Sequence, residues 1–173
     1  MQTRTTPSLA PISPAYLTRV DSPVGRIEIT SDGTSITSLA IECDDRLPHD
    51  GHPENNAAVL DAAAQQLAEY FAGDRREFDV PVALVGTEFQ RAVWRELAEI
   101  PFGSVDSYGE IGRATGRLAA GRAVGGAIGA NPVPIIVPCH RVLASGGRIT
   151  GYSAGSGIPT KAWLLDHEGI DHR

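Results

Sequence analysis

The run Asn131-Pro132-Val133-Pro134-Ile135-Ile136-Val137-Pro138-Cys139-His140-Arg141 holds the residues of this chain best suited to chemistry. The thiolate is the reactive form of cysteine, and a cysteine set between Pro138 and His140, with Arg141 next, has cationic neighbours able to lower its pKa. Pro132, Pro134 and Pro138 fix φ and push the residues before them into extended geometry. The run therefore reads as a stiff apolar ribbon, neither helix nor central sheet, that ends on the thiol. Free cysteine is also among the most buried residue types and commonly serves as a small hydrophobe. Cys139 alone therefore establishes no reaction; its surroundings have to.

The elements that would position this thiol follow from the rest of the chain. At 173 residues, 42% hydrophobic and 21% charged, it is long enough for one good core or for two small domains sharing an interface. No apolar run is long enough to span a bilayer, and the N-terminus lacks a charged-then-apolar signal pattern, so no membrane association and a cytoplasmic location are expected. Cys43 and Cys139 lie far apart in different contexts, which fits a reducing compartment better than a disulfide scaffold. Of the 15 basic residues only Lys161 is lysine. Residues 1–83 carry 6 basic and 13 acidic side chains, whereas residues 84–173 carry 9 and 8. Any surface facing nucleic acid belongs to the second half, and its few charges imply modest affinity.

Residues 1–14, with Pro7, Pro11 and Pro14 and no periodicity, read as a disordered tail. Residues 15–84 read as a small sheet-plus-helix domain. Tyr16 to Val20, Arg26 to Thr30 and Ser35 to Ile41 are strands of an antiparallel meander, and Glu54 to Phe71 is an alanine-rich packing helix closed by Gly73. Between them, Cys43, His49 and His52 match no common zinc spacing, so the segment reads as a solvated loop and no metal site is assigned.

Residues 85–173 form a second, mostly helical domain. Thr87 with Gln90, and Ser107 with Glu110, are capping boxes that open helices, the first placing Phe89, Val93, Trp94 and Leu97 on one core face. Gly116 breaks the second helix, and a third runs from Leu118 to Ala130, which suggests a helix-turn-helix. That third helix is built of small residues, among them Ala119, Ala120, Gly121, Ala123, Gly125, Gly126 and Gly129. Close helix packing and close approach to DNA, in the narrow minor groove, both account for it. Arg122 is its one long polar side chain. A glycine-rich loop over Thr150 to Gly157, read as flexible, precedes a last helix from Pro159 to Glu168. Cysteine, histidine and the carboxylate of Glu168 are the elements of an activated thiol. A hydrolase would aim them at a carbonyl; beside a DNA-binding element they suit attack on a modified base.

Phe89-Gln90 with Val93-Trp94, Ser107-Tyr108, Arg122-Ala123-Val124-Gly125, Asn131-Pro132, Pro138-Cys139-His140-Arg141-Val142, Gly151-Tyr152-Ser153 and His167-Glu168-Gly169 together resemble the methylated-DNA–protein-cysteine methyltransferases, the O6-alkylguanine-DNA alkyltransferase family. The resemblance is strong over residues 85–169 and weaker before, where Asp21-Ser22-Pro23-Val24-Gly25 carries it. It implies an α+β protein whose N-terminal domain is ribonuclease H-like. It also implies DNA repair by direct damage reversal: a single-turnover, irreversible transfer of the alkyl group from O6-alkylguanine, and from O4-alkylthymine, to Cys139 after base flipping.

By the same resemblance His140, through a water and oriented by Glu168, draws the thiol proton, and Asn131 holds the turn between helix and ribbon. Arg122 fills the gap in the base stack. Tyr108 helps rotate the phosphate and can donate to the purine. Carbonyls of Cys139 and Val142 read the exocyclic amine, Tyr152 and Ser153 cover O6, and Ala123 and Gly125 belong to the DNA-facing helix. No cofactor is implied, and the partner is double-stranded DNA bound through its minor groove by a protein that is monomeric in solution, with cooperative assembly on DNA left open. A sensor of the same fold that transfers nothing is the alternative, and retention of Cys139, His140 and Glu168 speaks against it. The chain departs from the pattern at Ala154, where the family commonly has glycine, and in a longer interval from Ser153 to Lys161. It also lacks the zinc ligands that some members carry.

Overall fold

Three short runs rich in β-branched residues pair as an antiparallel meander, β1 (Tyr16–Val20), β2 (Ile27–Ser31) and β3 (Ile36–Ile41), in that spatial order. The computed structural model describes residues 13–117 and 121–173. The expected disordered tail lies outside them but for its last two positions, and so do the first residues of the helix expected from Leu118. Gly25 and Gly33 make the two turns with φ of +110° and +103°, a conformation that side-chain-bearing residues seldom adopt.

β2 is buried along its whole length. Ile27 and Ile29 enter the core, while Glu28 points to the other face of the sheet, where His49 Nδ1 lies 2.6 Å from its Oε1 and Arg19 Nε lies 3.3 Å from its Oε2. Arg19 also donates to the carbonyls of His49 and His52. The segment expected as a solvated loop is irregular and largely exposed, and is fastened over the polar face of the sheet where His49 meets Glu28.

Helix α1 (Ala58–Ala72) starts later than its sequence pattern suggests, because Asn55 exchanges both backbone hydrogen bonds with Leu17 and extends the sheet edge instead. Its buried face carries Leu60, Ala63, Leu67 and Tyr70, and each leucine so buried contributes roughly 1.5–3 kcal/mol.

Both capping boxes form, Thr87 with Gln90 opening α2 (Glu88–Ala98) and Ser107 with Glu110 opening α3 (Tyr108–Ala114). Val93, Trp94 and Leu97 are buried, and Trp94 Nε1–H donates at 2.8 Å to the Ala127 carbonyl of α4 (Gly121–Gly129), which fixes how the two helices cross. Phe89 is only partly buried, with the Arg117 guanidinium 4.7 Å over its ring. A short parallel pair, β4 (Asp106–Ser107) with β5 (Val142–Leu143), ties the start of α3 to the chain just past Cys139. Last comes α5 (Ile158–His167), with Pro159 in its first turn. One apolar core runs from the sheet and α1 through α2, α4 and the proline ribbon to Leu164 of α5, an α+β arrangement.

The ribbon is not extended to its end. Ile135 takes φ +72°, a conformation rare for a β-branched residue, and Val137 N–H turns back to the Val133 carbonyl at 2.9 Å. Cys139–Arg141 then form one turn of 3-10 helix. Proline withholds donors and so forbids a regular helix, but it leaves a single tight turn open. His140 consequently does not point opposite Cys139 as it would on a strand.

Candidate active site

Asn131 braces the turn that delivers the thiol. Its Nδ2 donates to the Val137 carbonyl at 2.8 Å and its Oδ1 accepts from Val133 N at 3.0 Å, closing the proline segment on itself. Cys139 emerges from this brace only 4% exposed, on the wall of a cavity of about 620 Å³. The sulfur is therefore shielded from bulk water yet open to whatever fills that cavity.

Behind it, the Glu168 carboxylate at the end of α5 accepts five hydrogen bonds. Its Oε1 receives Tyr70 Oη at 2.8 Å, His140 Nε2 at 2.7 Å and Arg141 Nη2 at 2.9 Å; its Oε2 receives Arg141 Nε at 2.8 Å and Gly103 N at 3.3 Å. Arg141 Nη1 donates to the Ile100 carbonyl at 2.7 Å. Burial acting alone would raise the Glu168 carboxyl, but the bonds from His140 and Arg141 win and hold it well below the usual carboxylate range. Burial also holds His140 below the ordinary imidazole value, with Glu168 opposing. An ionised carboxylate only accepts, so the single proton of a neutral His140 sits on Nε2 and leaves a lone pair on Nδ1. That Nδ1 is buried without a hydrogen-bond partner among the described residues.

The expectation that cationic neighbours lower the pKa of Cys139 is overturned. Both His140 and Arg141 turn to Glu168, and burial pushes the thiol up against the weaker lowering influence of Asn131 and Lys161. The resting sulfur is a thiol, so its proton has to leave as it reacts.

Lys161 is a buried cavity residue that sequence reasoning did not place at the site. It is 1% exposed, lines the cavity and donates from Nζ to the carbonyls of Val142 at 2.6 Å and Gly151 at 3.2 Å. Burial lowers its ammonium to about 8, with the nearby Cys139 sulfur opposing. One signal was in view: a chain that uses arginine at every other basic position keeps a single lysine here.

Tyr108, Gly125, Tyr152 and Ser153 line the same cavity as Cys139. Tyr108 Oη accepts from Thr150 Oγ1 at 3.3 Å. The Tyr152 hydroxyl is buried without a hydrogen-bond partner among the described residues, and burial together with the sulfur of Cys139 raises its pKa. Ser153 Oγ donates to the Gly129 carbonyl at 2.9 Å, and a Cβ on Gly155 would meet Thr160 Oγ1 at 2.7 Å. The glycine-rich segment read as flexible is thus anchored at Gly151, Ser153 and Gly155. Val142, His140, Glu168 and Asn131 stand behind the cavity wall. The Val142 carbonyl already accepts the Lys161 ammonium, which leaves it one lone pair for a ligand amine.

On α4, Val124, Ala127 and Ile128 are buried, while Arg122 lies exposed on the opposite side and Ala123 is exposed at the flank. A Cβ added at Gly121, Gly125 or Gly126 would meet no described atom within 4 Å beyond the helix's own backbone. Close helix packing therefore does not explain these glycines; they keep an open face smooth beside the cavity.

A family model described as 6-O-methylguanine DNA methyltransferase, DNA binding domain, matches residues 88–170, and its ribonuclease-like domain matches residues 15–84. A methylated-DNA–protein-cysteine methyltransferase of Mycobacterium tuberculosis is 44% identical over 149 residues, covering 86% of this chain and 89% of the relative. A constitutive counterpart from Bacillus subtilis is 40% identical over 162 residues, covering 91% and 98%. The crystal structure of the Mycobacterium tuberculosis O6-methylguanine methyltransferase superposes with a TM-score of 0.78 at 42% identity, covering 88% of this chain and 92% of that one. The same figures hold for the Mycobacterium tuberculosis OGT solved in complex with DNA. With both family models matched in order and relatives aligned along most of their length, the chain belongs to the 6-O-methylguanine DNA methyltransferase family.

Proposed function

We propose that this chain repairs DNA by direct damage reversal, moving the alkyl group of an O6-alkylguanine onto Cys139 once per molecule. One observation carries the reading: a shielded thiol on a cavity wall, followed in sequence by a buried neutral imidazole whose Nε2 is tied to an ionised Glu168. The thiol proton passes through a water to the free Nδ1 of His140. As it leaves, the sulfur attacks the alkyl carbon opposite O6; the S–C bond forms, the C–O6 bond breaks, and the electron pair moves into the purine, which takes a proton at ring nitrogen from water while the imidazolium returns its own proton to water. Glu168 stabilises the imidazolium formed on the way. The product thioether is a poor leaving group, so each chain acts once.

Reaching O6 inside a duplex requires the nucleotide to be turned out of the stack, at a cost of a few kcal/mol that weakened pairing of the lesion reduces. The smooth face of α4 suits close approach through the minor groove, and Arg122 on that face fills the gap left in the stack. Tyr108 assists rotation of the phosphate, the carbonyls of Cys139 and Val142 receive the exocyclic amine, and Tyr152 with Ser153 closes over O6. O4-alkylthymine, which presents an alkyl ether of the same kind, is a second substrate, and the acting species is a monomer.

The test is a titration of a duplex containing O6-methylguanine. Restored guanines should equal the number of protein chains added and vanish with Cys139→Ser. Binding with the lesion intact would instead make the chain a sensor, and neither binding nor repair would leave a thiol hydrolase.

A further inference from the structure

Three of the five donors on Glu168 come from the 3-10 turn that carries Cys139, and a fourth is the backbone of Gly103. The fifth comes from far away in the chain. Tyr70, on α1 beneath the sheet, donates from Oη at 2.8 Å to Glu168 Oε1, the oxygen that also holds His140 Nε2 at 2.7 Å. The phenol is placed by an aromatic cluster. The Tyr70 ring meets His167 edge-on at 5.0 Å and Phe102 at 6.2 Å, and Trp163 stacks on His167 at 5.0 Å. His167 Nε2 lies 2.7 Å from the Tyr70 carbonyl, which fixes the helix backbone as well.

We propose that Tyr70 is a positioning residue of the proton relay, through which the sheet-bearing part of the chain sets how readily His140 takes the thiol proton. The inference rests on the Cys139–His140–Glu168 reading above. Donors on one carboxylate oxygen share its charge, and what the phenol draws is withheld from the imidazole. The other groups that bear on this pair are Arg141 from the 3-10 turn and Lys161 from α5, which act on the imidazole, and Tyr152, which faces the Tyr70 phenol. Arg141 and Lys161 are cations that disfavour an imidazolium outright. Tyr70 is neutral, and replacing it by phenylalanine changes no charge and almost no volume. Without the phenol, Oε1 turns more of its charge to His140, the imidazolium is favoured, and Nδ1 is blocked by a proton at a higher pH than before.

The experiment is the pH dependence of single-turnover methyl transfer from an O6-methylguanine duplex, for the native chain, Tyr70→Phe and Phe71→Leu. Phe71 packs in the same aromatic contact without reaching Glu168. Tyr70→Phe should move the acid limb upward by on the order of one pH unit, an up to about tenfold loss below the limb, and leave the alkaline plateau within about twofold. Phe71→Leu should leave the limb in place. Placing 3-fluorotyrosine at position 70, a stronger donor, should move the limb the other way, which keeps the test alive if the phenylalanine chain folds poorly. An unmoved limb, or a rate loss equal at every pH, would overturn the proposal. NMR titration of the His140 ring needs no methyl transfer. An upward shift of that titration in Tyr70→Phe alongside a native chain that transfers nothing would sink the repair reading and keep this one, and an unshifted titration would sink this one alone.

Discussion

Replacing Glu168 by glutamine removes the centre of the buried network while keeping its shape. The amide offers one carbonyl oxygen where the carboxylate offered two. If that oxygen takes the place of Oε1, the new NH2 confronts two donors, Arg141 Nε–H and Gly103 N–H; if it takes the place of Oε2, the NH2 confronts Tyr70 Oη–H and Arg141 Nη2–H. Either way Arg141, whose side chain is 7% exposed, loses its counter-charge and faces a donor. Breaking a buried ion pair from one side costs roughly 3–5 kcal/mol, a large share of the roughly 5–15 kcal/mol that holds an ordinary domain folded. At a denaturant slope near 2 kcal/mol/M, the urea midpoint should fall by roughly 2 M. The rate should fall too, because the amide can donate to His140 Nε2 and so favour the tautomer with its proton on Nδ1, the one that cannot act as base. The loss of a positioned base is worth on the order of a hundredfold or more. Urea melts and single-turnover transfer from a methylated duplex check the two numbers. A Glu168→Gln chain within 1 kcal/mol and about threefold of the native one would refute the network as described.

Arg122→Ala should slow repair of a duplex more than reaction with a free alkylated base, since only a duplex has a stack to fill; equal losses on the two substrates would remove that role. Gly126→Ala should stabilise the fold by about 0.5–1 kcal/mol, because its Cβ would meet no described atom beyond its own helix and alanine favours helix, while weakening affinity for DNA in a binding titration. Unchanged affinity would deny the smooth helix face any part in DNA contact. Stability should also decline on acidification in two stages. The folded state resists protonating His140, so the unfolded imidazole takes up the extra proton below about pH 6.5; Glu168, also depressed, loses its contribution as pH falls below about 4.3 and on through its folded value. Urea midpoints that stay flat from about pH 7 to about pH 5 would contradict the first assignment, and midpoints that stay flat on further acidification from about pH 4.3 to about pH 2 would contradict the second.

Much of this was legible because it is local. A capping box spans four residues, so Thr87 with Gln90 and Ser107 with Glu110 announce α2 and α3 without knowledge of anything else. The order Pro138-Cys139-His140-Arg141 likewise names a thiol and its neighbours. The partners were not legible, since contact depends on the fold. Nothing near Tyr70 indicates that it reaches a carboxylate 98 residues away. The direction of the Cys139 shift was misread for the same reason: adjacency to His140 and Arg141 suggested a positive setting, whereas both side chains serve Glu168 and burial decides. Helix α1 began late because Asn55 had a strand to join, a competition invisible in helical periodicity. Ile135 shows the limit from the other side, as a β-branched residue in a left-handed conformation that only the closed turn around Asn131 accounts for.

The sulfur of Cys139 as alkyl acceptor is tested most directly by peptide mass. After incubation with one equivalent of duplex carrying O6-methylguanine, the chain is digested and the peptides containing Cys139 and Cys43 are weighed. One added CH2 on the Cys139 peptide, with exposed Cys43 untouched, is the predicted result. Repair of the lesion with Cys139 unmodified, or methyl found on Cys43, would contradict it.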